Sequence, residues 1–270
     1  MNLTYLRRIW RSQLVRLVIV AVALVAWGFL MPVIWDQFGR SFEQLMNSGL
    51  VPAEFRQFTQ FGGGDITKLS GMIAIGFIHP LAVLLMAVFS VGFTVAAVAG
   101  ERQRGTLEVL LARPISRRTL YTTLLLAALL FLGLLVLALL GGVVFGLTLW
   151  NLLDRVQLAN MPLLWLNGVL LQMSFAAIAL AASVSFDRLT PALGITLAVL
   201  LSAYFFQVLG SLWPDAQFLQ PYSLFYYLQP QQILEGHVDP FHLALLGAVN
   251  VVAIAYALIV FPRRDLAAPA

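Results

Sequence analysis

The chain has 270 residues, of which 61% are hydrophobic and 10% are charged. Soluble globular domains carry about 45–50% apolar and about 25% charged residues, so this composition excludes an ordinary water-soluble fold and indicates a membrane protein. The absence of cysteine excludes disulfides, thiol nucleophiles and thiolate metal sites. The net charge of +4 comes from short arginine clusters beside apolar segments rather than from one basic stripe, which favours membrane topology over nucleic-acid binding.

Six apolar segments are long enough for membrane-spanning helices, each of which needs about 20 residues. Backbone groups in lipid must pair within their own segment, so the predicted fold is all-α with six transmembrane helices. The predicted spans are residues 14–35, 70–99, 120–150, 163–186, 189–212 and 243–262. We expect the first span to be retained, because it is longer than a signal-peptide core of about 7–15 residues. His79-Pro80 predicts a kink in the second span, since proline has no backbone N–H to donate.

Lysine and arginine are distributed unevenly along the loops, and cytoplasmic loops near spans are enriched in these residues. With the amino terminus inside, the inner side carries 12 of the 16 basic residues and 4 of the 12 acidic ones, a net charge of +8, whereas the outer side carries −4. The predicted topology therefore places both termini in the cytoplasm and makes the chain a multi-pass protein of the cytoplasmic (inner) membrane.

Two segments on the predicted outer side, 36–69 and 213–242, are longer than simple turns. In the first, large apolar residues recur at helical intervals, which predicts helices lying on the outer membrane interface. These residues are Phe38, Phe42, Leu45 and Met46, followed by Phe55, Phe58 and Phe61. The second contains aromatic residues that suit headgroup depth, namely Tyr222, Phe225, Tyr226 and Tyr227.

Ionisable residues within the spans bind the driving ion in ion-coupled carriers. Away from the span ends His79 is the exception here, and we interpret it as structural beside Pro80. The spans therefore disfavour a carrier driven by an ion gradient, which stays open as an alternative. Four neutral polar residues are predicted to form interhelical hydrogen bonds: Asn167, Gln172, Gln207 and Asn250.

The sequence offers little for catalysis. No zinc-binding His and Glu spacing and no Ser–His pair at membrane depth occur, so we predict no catalytic residue, no metal and no enzymatic activity. A loop metal site around His237 and His242, with Glu235 and Asp239, is the less common alternative to solvated loop residues. The chain lacks G-x-x-x-x-G-K-S/T, so ATP hydrolysis would need a separate polypeptide.

Residues 100–118, between the second and third spans, predict a short amphipathic helix on the cytoplasmic side. The helix is expected to begin at Gly105 and Thr106 and to end at Pro114. Its apolar face comprises Leu107, Leu110 and Leu111. Such a helix could rest on anionic headgroups, but its two glutamates favour the groove of a protein partner.

The pattern E-x-x-x-G-T-L-E-x-L-L-x-x-P-I-S-R, from Glu101 to Arg117, resembles the signature loop in permease subunits of ABC-2 type exporters. In that family the loop is a coupling helix that docks in a cleft of the ATP-binding subunit. The resemblance implies ATPase coupling through Glu101, Arg102, Gly105, Thr106, Leu107, Glu108, Leu110, Leu111, Arg113 and Pro114. Gln103 departs from the pattern, because relatives often carry an acid there. Residues 1–13 resemble the family's cytoplasmic interface helix, through Leu3, Leu6, Arg7, Arg8, Trp10 and Arg11.

The resemblance implies that residues 1–270 form a single permease domain of an ATP-driven exporter. The expected partners are two copies of an ABC ATP-binding subunit, which would carry ATP and Mg, and a second permease copy, with a homodimer favoured over a heterodimer. No cofactor is expected on this chain, and the lipid bilayer is its surroundings. A non-transporting membrane anchor or receptor subunit is the other alternative, and the sequence does not identify a substrate.

Overall fold

The computed structural model describes residues 2–39, 41, 44–45, 48, 64–112 and 115–264. All regular structure within these ranges is helical, which confirms the predicted all-α class. The α-helices are numbered α1 (Leu3–Ile34), α2 (Leu69–Ile78), α3 (Pro80–Ala87), α4 (Thr106–Leu111), α5 (Arg117–Leu149), α6 (Met161–Ser185), α7 (Leu189–Leu212), α8 (Pro230–Leu234) and α9 (Pro240–Arg263).

Five of these helices, α1, α5, α6, α7 and α9, are long and apolar enough to cross a membrane. The pair α2 and α3 supplies a sixth span if the two count as one, although they are bent by 43°. Beyond α3 the chain continues in π-helical turns over Val88–Phe93 and Ala96–Gly100. Each predicted span therefore has a helical counterpart. The predicted interface helix is not separate, because α1 runs without a break from Leu3 into the first span.

The bend lies at His79-Pro80, where the sequence predicts it. His79 has extended ψ (140°), and Pro80 occupies the first turn of α3, where its missing N–H costs nothing. His79 Nδ1 accepts a hydrogen bond from the Leu81 backbone N–H (3.2 Å), which caps α3. The His79 ring also packs against Trp27, with ring centroids 4.5 Å apart. These contacts support the structural interpretation of the histidine.

The most extensive packing joins α1 and α5, and it depends on glycine. A Cβ atom on Gly142 would lie 2.1 Å from the carbonyl oxygen of Val25, and one on Gly28 would lie 2.2 Å from that of Leu139. Gly146, one turn beyond Gly142, faces the Phe29 carbonyl in the same way, at 2.9 Å. Small residues four apart let helix backbones approach closely in lipid, where dispersion contacts replace the hydrophobic effect between helices.

Two of the predicted interhelical polar residues have clear partners. Asn250 on α9 donates through Nδ2 to the Leu170 carbonyl (3.0 Å) and the Ser174 hydroxyl (2.9 Å) of α6, as predicted. Asn167 on α6 contacts the 213–242 segment instead of a helix, because its amide donates to the Tyr227 carbonyl at 3.1 Å. The polar groups thus pair with backbone and hydroxyl oxygens inside the bundle rather than with lipid.

A polar cluster joins α2 to α8 at the end of the bundle where α1 finishes. Glu235 Oε1 accepts hydrogen bonds from Ser70 Oγ (2.8 Å), Gln231 Nε2 (2.9 Å) and Lys68 Nζ (3.3 Å). Burial alone raises the pKa of Glu235, but these bonds and the Lys68 charge outweigh it and hold the pKa below its ordinary value. Glu235 therefore faces α2, and the described residues contain no cluster of three His, Asp or Glu side chains suited to a metal.

The 213–242 segment folds onto the bundle more closely than predicted. Its 3-10 segments, Pro214–Tyr222 and Leu224–Tyr227, are held to α7 by a hydrogen bond from Ser223 Oγ to the Ala203 carbonyl (2.6 Å). Tyr222 is exposed, as expected for an interfacial aromatic residue, but Phe225 is fully buried against Phe175. The interfacial role predicted for Phe225 is therefore wrong.

The first outer segment, 36–69, is described at residues 36–39, 41, 44–45, 48 and 64–69. Trp35–Gly39 forms a π-helical continuation of α1, and beyond residue 48 the description resumes at Gly64. Phe42, Met46 and residues 51–63 lie outside the described residues, so the interfacial helices predicted there stay predictions.

Candidate functional site at the arginine-rich end

Four parts of the chain meet at one end of the bundle, here called the arginine-rich end: the start of α1, residues 100–112 with 115–118, residues 186–188 and the end of α9. The Asn2 backbone N–H donates to Thr123 Oγ1 of α5 (3.0 Å), which holds the start of α1 in place. Ion pairs join the other segments, as described below. The site predicted from residues 100–118 is therefore attached to several helices and is not an isolated loop.

Residues 101–112 form a compact hairpin, here called the α4 hairpin, with Gly105 at its turn. Gly105 has a positive φ of 70°, a conformation that glycine adopts without strain, and it separates the short helical turn Glu101–Gln103 from α4. The Thr106 hydroxyl donates to the Glu101 carbonyl (3.0 Å) and carboxylate (2.5 Å), and Arg104 forms an ion pair with Glu101. Glu101 thus joins both arms of the hairpin.

The side chains of α4 point in two directions. Leu107 is 2% exposed and packs into the protein's own core, so its side chain is not offered to a partner. Thr106 and Glu108 are exposed on the outside of the bundle. The remaining predicted coupling residues lie partly or wholly outside the described part: Leu110 and Leu111 by their side chains, and Arg113 and Pro114 entirely.

The arm before Gly105 is tied to the connection between α6 and α7. Arg102, with only 9% of its side chain exposed, forms an ion pair with Asp187 at 2.6 Å. Gln103 Oε1 accepts a hydrogen bond from the backbone N–H of Leu189 at the start of α7 (2.9 Å). Gln103 thus supplies an acceptor oxygen at the position where the sequence departs from the family pattern, a role that an acid would also fill.

Asp187 also pairs with Arg264 at the end of α9. Arg264 Nη1 donates to the Val184 carbonyl of α6 at 2.8 Å, and Arg117 at the start of α5 donates to the Phe261 and Pro262 carbonyls (both 3.3 Å). The ends of α5, α6 and α9 are therefore connected to the α4 hairpin through one carboxylate and three arginines.

A serine of α6 connects this helix to the end of the second span, just before the α4 hairpin. Ser183 Oγ accepts hydrogen bonds from the backbone N–H groups of Val98 (3.1 Å) and Ala99 (2.9 Å) and donates to the Val95 carbonyl (2.7 Å). These backbone groups belong to the π-helical stretch, where the regular helical ladder is interrupted and a side chain must supply partners. Displacement of residues 96–100 would therefore act directly on α6.

The start of α1 places its predicted residues on both sides of the helix. Trp10 stacks on Phe131 of α5 with ring centroids 5.4 Å apart, and Leu6 is partly buried. Leu3 is 67% exposed and takes no part in this packing, and the role of these residues as an interface helix stays a prediction. The buried face follows Ile9, Leu17, Val20 and Leu24, because one continuous helix keeps the register of the membrane span. Arg7, Arg8 and Arg11 are exposed.

A comparison with protein families identifies the chain. Residues 7–266 match a family model described as ABC-2 family transporter protein. The chain belongs to this family. No curated protein matched it. Membership in the ABC-2 family makes the chain a multi-pass membrane permease subunit of an ABC transporter and implies partnership with an ABC ATP-binding subunit. It confirms the resemblance of the chain to ABC-2 type permeases.

In this ABC-2 family chain, sequence reasoning missed Ser183, Asp187 and Arg264. Asp187 carried a detectable signal, because it is one of four acidic residues on the side that is otherwise rich in arginine. Ser183 carried no such signal, because serine is common in membrane helices. Its role depends on an interruption of the backbone hydrogen bonds of a helix 85 residues earlier in the chain.

Proposed function

We propose that this chain is the permease of an ATP-driven exporter and that the α4 hairpin is the surface that docks on the ATP-binding subunit. The observation that carries the proposal is the construction of the hairpin. It exposes Thr106 and Glu108 to the outside while its inner side is fastened to the bundle through Leu107 and Arg102. A surface built in this way can receive a force from a partner and pass it to the helices.

The path of the force follows the contacts around the hairpin. Movement of the outer face of α4 reaches the α6–α7 connection through the Arg102–Asp187 pair and the bond between Gln103 and Leu189. It reaches α6 itself through Ser183. Alternating access needs rigid groups of helices that rock against each other, and these contacts attach the hairpin to such a group.

In the proposed assembly, two permease copies, as a homodimer, would form the substrate path, and two ATP-binding subunits would carry ATP and Mg at the arginine-rich end. The arginine-rich end then faces the cytoplasm of a cell whose inner membrane holds the chain, in agreement with the distribution of basic residues. The permease itself catalyses no reaction.

The test is a double substitution on the hairpin, Glu108→Ala with Leu111→Ala, in the full complex reconstituted with the ATP-binding subunit that co-purifies with the chain. We expect the variant to insert normally but to lose most of the stimulation of ATP hydrolysis, because a small docking helix depends on few contacts. The measurements are ATPase rate and subunit recovery after purification.

The matched control is Asp154→Ala with Leu158→Ala. It likewise removes one acidic residue and one leucine, here from exposed positions at the opposite end of the bundle. This variant should keep wild-type stimulation. Equal stimulation by wild type and by the hairpin variant would contradict the proposal. The hairpin can also be crosslinked to the ATP-binding subunit with and without ATP. If the subunit is recovered with the chain but ATP does not change the crosslinking, the anchor or receptor alternative would be favoured.

A further inference from the structure

A cavity of about 500 Å³ opens at the arginine-rich end between the start of α1 and the α4 hairpin. Its polar wall contains Arg8 and Arg16 from α1 and the Arg104–Glu101 pair from the hairpin. The three guanidinium groups and one carboxylate give this wall a net charge of +2. An anion is therefore the kind of ligand that the wall attracts.

Arg8 and Arg16 are available to such a ligand. Within the described part of the chain neither forms a hydrogen bond or an ion pair, whereas Arg102, Arg117 and Arg264 at the same end all have protein partners. Arg8 and Arg16 are eight residues apart on one helix, so they lie about two turns apart on the same side. Two guanidinium groups at this spacing can contact a phosphate and an adjoining headgroup oxygen.

The remaining wall of the cavity is apolar and adjoins the membrane. Phe93, Ala96 and Ala97 of the second span and Leu124 of α5 line it. Beside and beyond Arg16, α1 exposes Val15, Val18 and Ile19 in the stretch that enters the bilayer. A ligand that satisfies both walls carries an anionic group and an apolar chain.

We propose that this cavity binds an anionic phospholipid from the leaflet at the arginine-rich end, with Arg8 and Arg16 contacting its phosphate and an adjoining headgroup oxygen. The lipid would lie between α1 and the α4 hairpin, beside the Glu101–Thr106 hydrogen bond that shapes the hairpin. The proposal concerns lipid binding by the permease alone and does not depend on the proposed export function.

The experiment measures binding of phosphatidylglycerol to the full-length chain in detergent by native mass spectrometry. We expect Arg8→Gln with Arg16→Gln to weaken binding by about tenfold or more, because each arginine near a phosphate contributes about 1 kcal/mol. Arg8→Lys with Arg16→Lys should keep most of the affinity, since the charge is kept. Phosphatidylcholine, which has no net charge, should bind weakly to every variant.

The control is Arg7→Gln with Arg11→Gln, which removes the same charge from the same helix outside the cavity. It should leave phosphatidylglycerol binding near the wild-type value. Equal losses in both double variants would overturn the proposal in favour of diffuse surface attraction. Displacement of the lipid by equimolar glycerol 3-phosphate would overturn the lipid assignment in favour of a soluble phosphate. If Arg8→Gln with Arg16→Gln leaves lipid binding unchanged but lowers the recovery of the ATP-binding subunit, the proposal would be overturned in favour of protein docking.

Discussion

Asp187 lies at the junction of the arginine-rich end, where its carboxylate serves both Arg102 and Arg264. The importance of this ion pair for each residue depends on how far its side chain is buried. Arg102 is almost completely buried, and a buried charge requires a partner because burial removes its hydration. Asp187 is about half exposed, with 49% of its side chain accessible, so water weakens the pairing without replacing it. A single carboxylate thus links the hairpin to both the α6–α7 connection and the end of α9.

Replacing Asp187 by asparagine should destabilise the chain and weaken coupling. We expect a loss of about 1–2 kcal/mol, because hydrogen bonds to charged groups contribute about this much after allowance for solvent. For a chain of this size that corresponds to a fall in Tm of about 2–4 °C per kcal/mol. The measurement is thermal unfolding in detergent, followed by ATPase stimulation in the reconstituted complex.

The neighbouring Arg188→Gln variant is the control, because Arg188 is exposed on the same connection. It should keep the wild-type Tm. If Asp187→Asn and Arg188→Gln unfold at the same temperature, the Arg102–Asp187 pair does not hold the hairpin to the bundle.

At the scale of whole elements, the contact between α1 and α5 organises the bundle. Lipid and side chains are equally apolar, so helices associate through close packing rather than through the hydrophobic effect. The glycines on both helices bring backbone against backbone along the contact. Because α1 also carries the wall with Arg8 and Arg16, its position on α5 sets the geometry of the cavity beside the hairpin.

Two adjacent glycines of α5 allow a sharp test of this contact. Gly142→Ala should destabilise the chain by about 1–3 kcal/mol, the usual cost of overpacking, because the new Cβ would lie 2.1 Å from the Val25 carbonyl oxygen. Gly141→Ala should be neutral or stabilising by up to about 1 kcal/mol, since no atom lies within 4 Å of its Cβ position and alanine favours helix. Thermal unfolding in detergent distinguishes them, and equal Tm values would show that α1 and α5 do not pack this closely.

At the scale of the whole molecule, charge and polarity divide the chain into two ends. The arginine-rich end contains most of the basic residues, whereas Glu235, Lys68 and α8 form a separate polar cluster at the other end. The bundle between them presents large apolar side chains on α1, α7 and α9, including Val22, Phe205 and Val252. These surfaces suit lipid or another permease copy, and the charge difference predicts which end faces the cytoplasm.

The absence of cysteine allows the orientation to be measured without background labelling. Ala112→Cys and Ala159→Cys introduce the same small change at exposed positions, one on the α4 hairpin and one at the opposite end. In intact cells with the outer membrane permeabilised, a membrane-impermeant maleimide should label Ala159→Cys and leave Ala112→Cys unmodified until the inner membrane is opened. The reverse pattern would place the hairpin outside the cell and exclude docking of a cytoplasmic ATP-binding subunit.

Local features of the sequence predicted much of this protein. The spans follow from runs of apolar residues, the bend follows from Pro80, and the hairpin follows from Gly105 within a recognisable motif. Each of these features acts on neighbouring residues, so a linear reading detects it. The family match is consistent with that prediction, because the motif lies within the matched residues.

Only the tertiary structure decided which sides of the helices meet and which distant groups pair. In a membrane helix the core-facing and lipid-facing sides are both apolar, so the inward face of α1 could not be identified from hydrophobicity. The Arg102–Asp187 pair and the role of Ser183 join residues about 85 positions apart. Such pairs depend on helix packing and on the interrupted backbone of the second span, and no local pattern in the sequence records them.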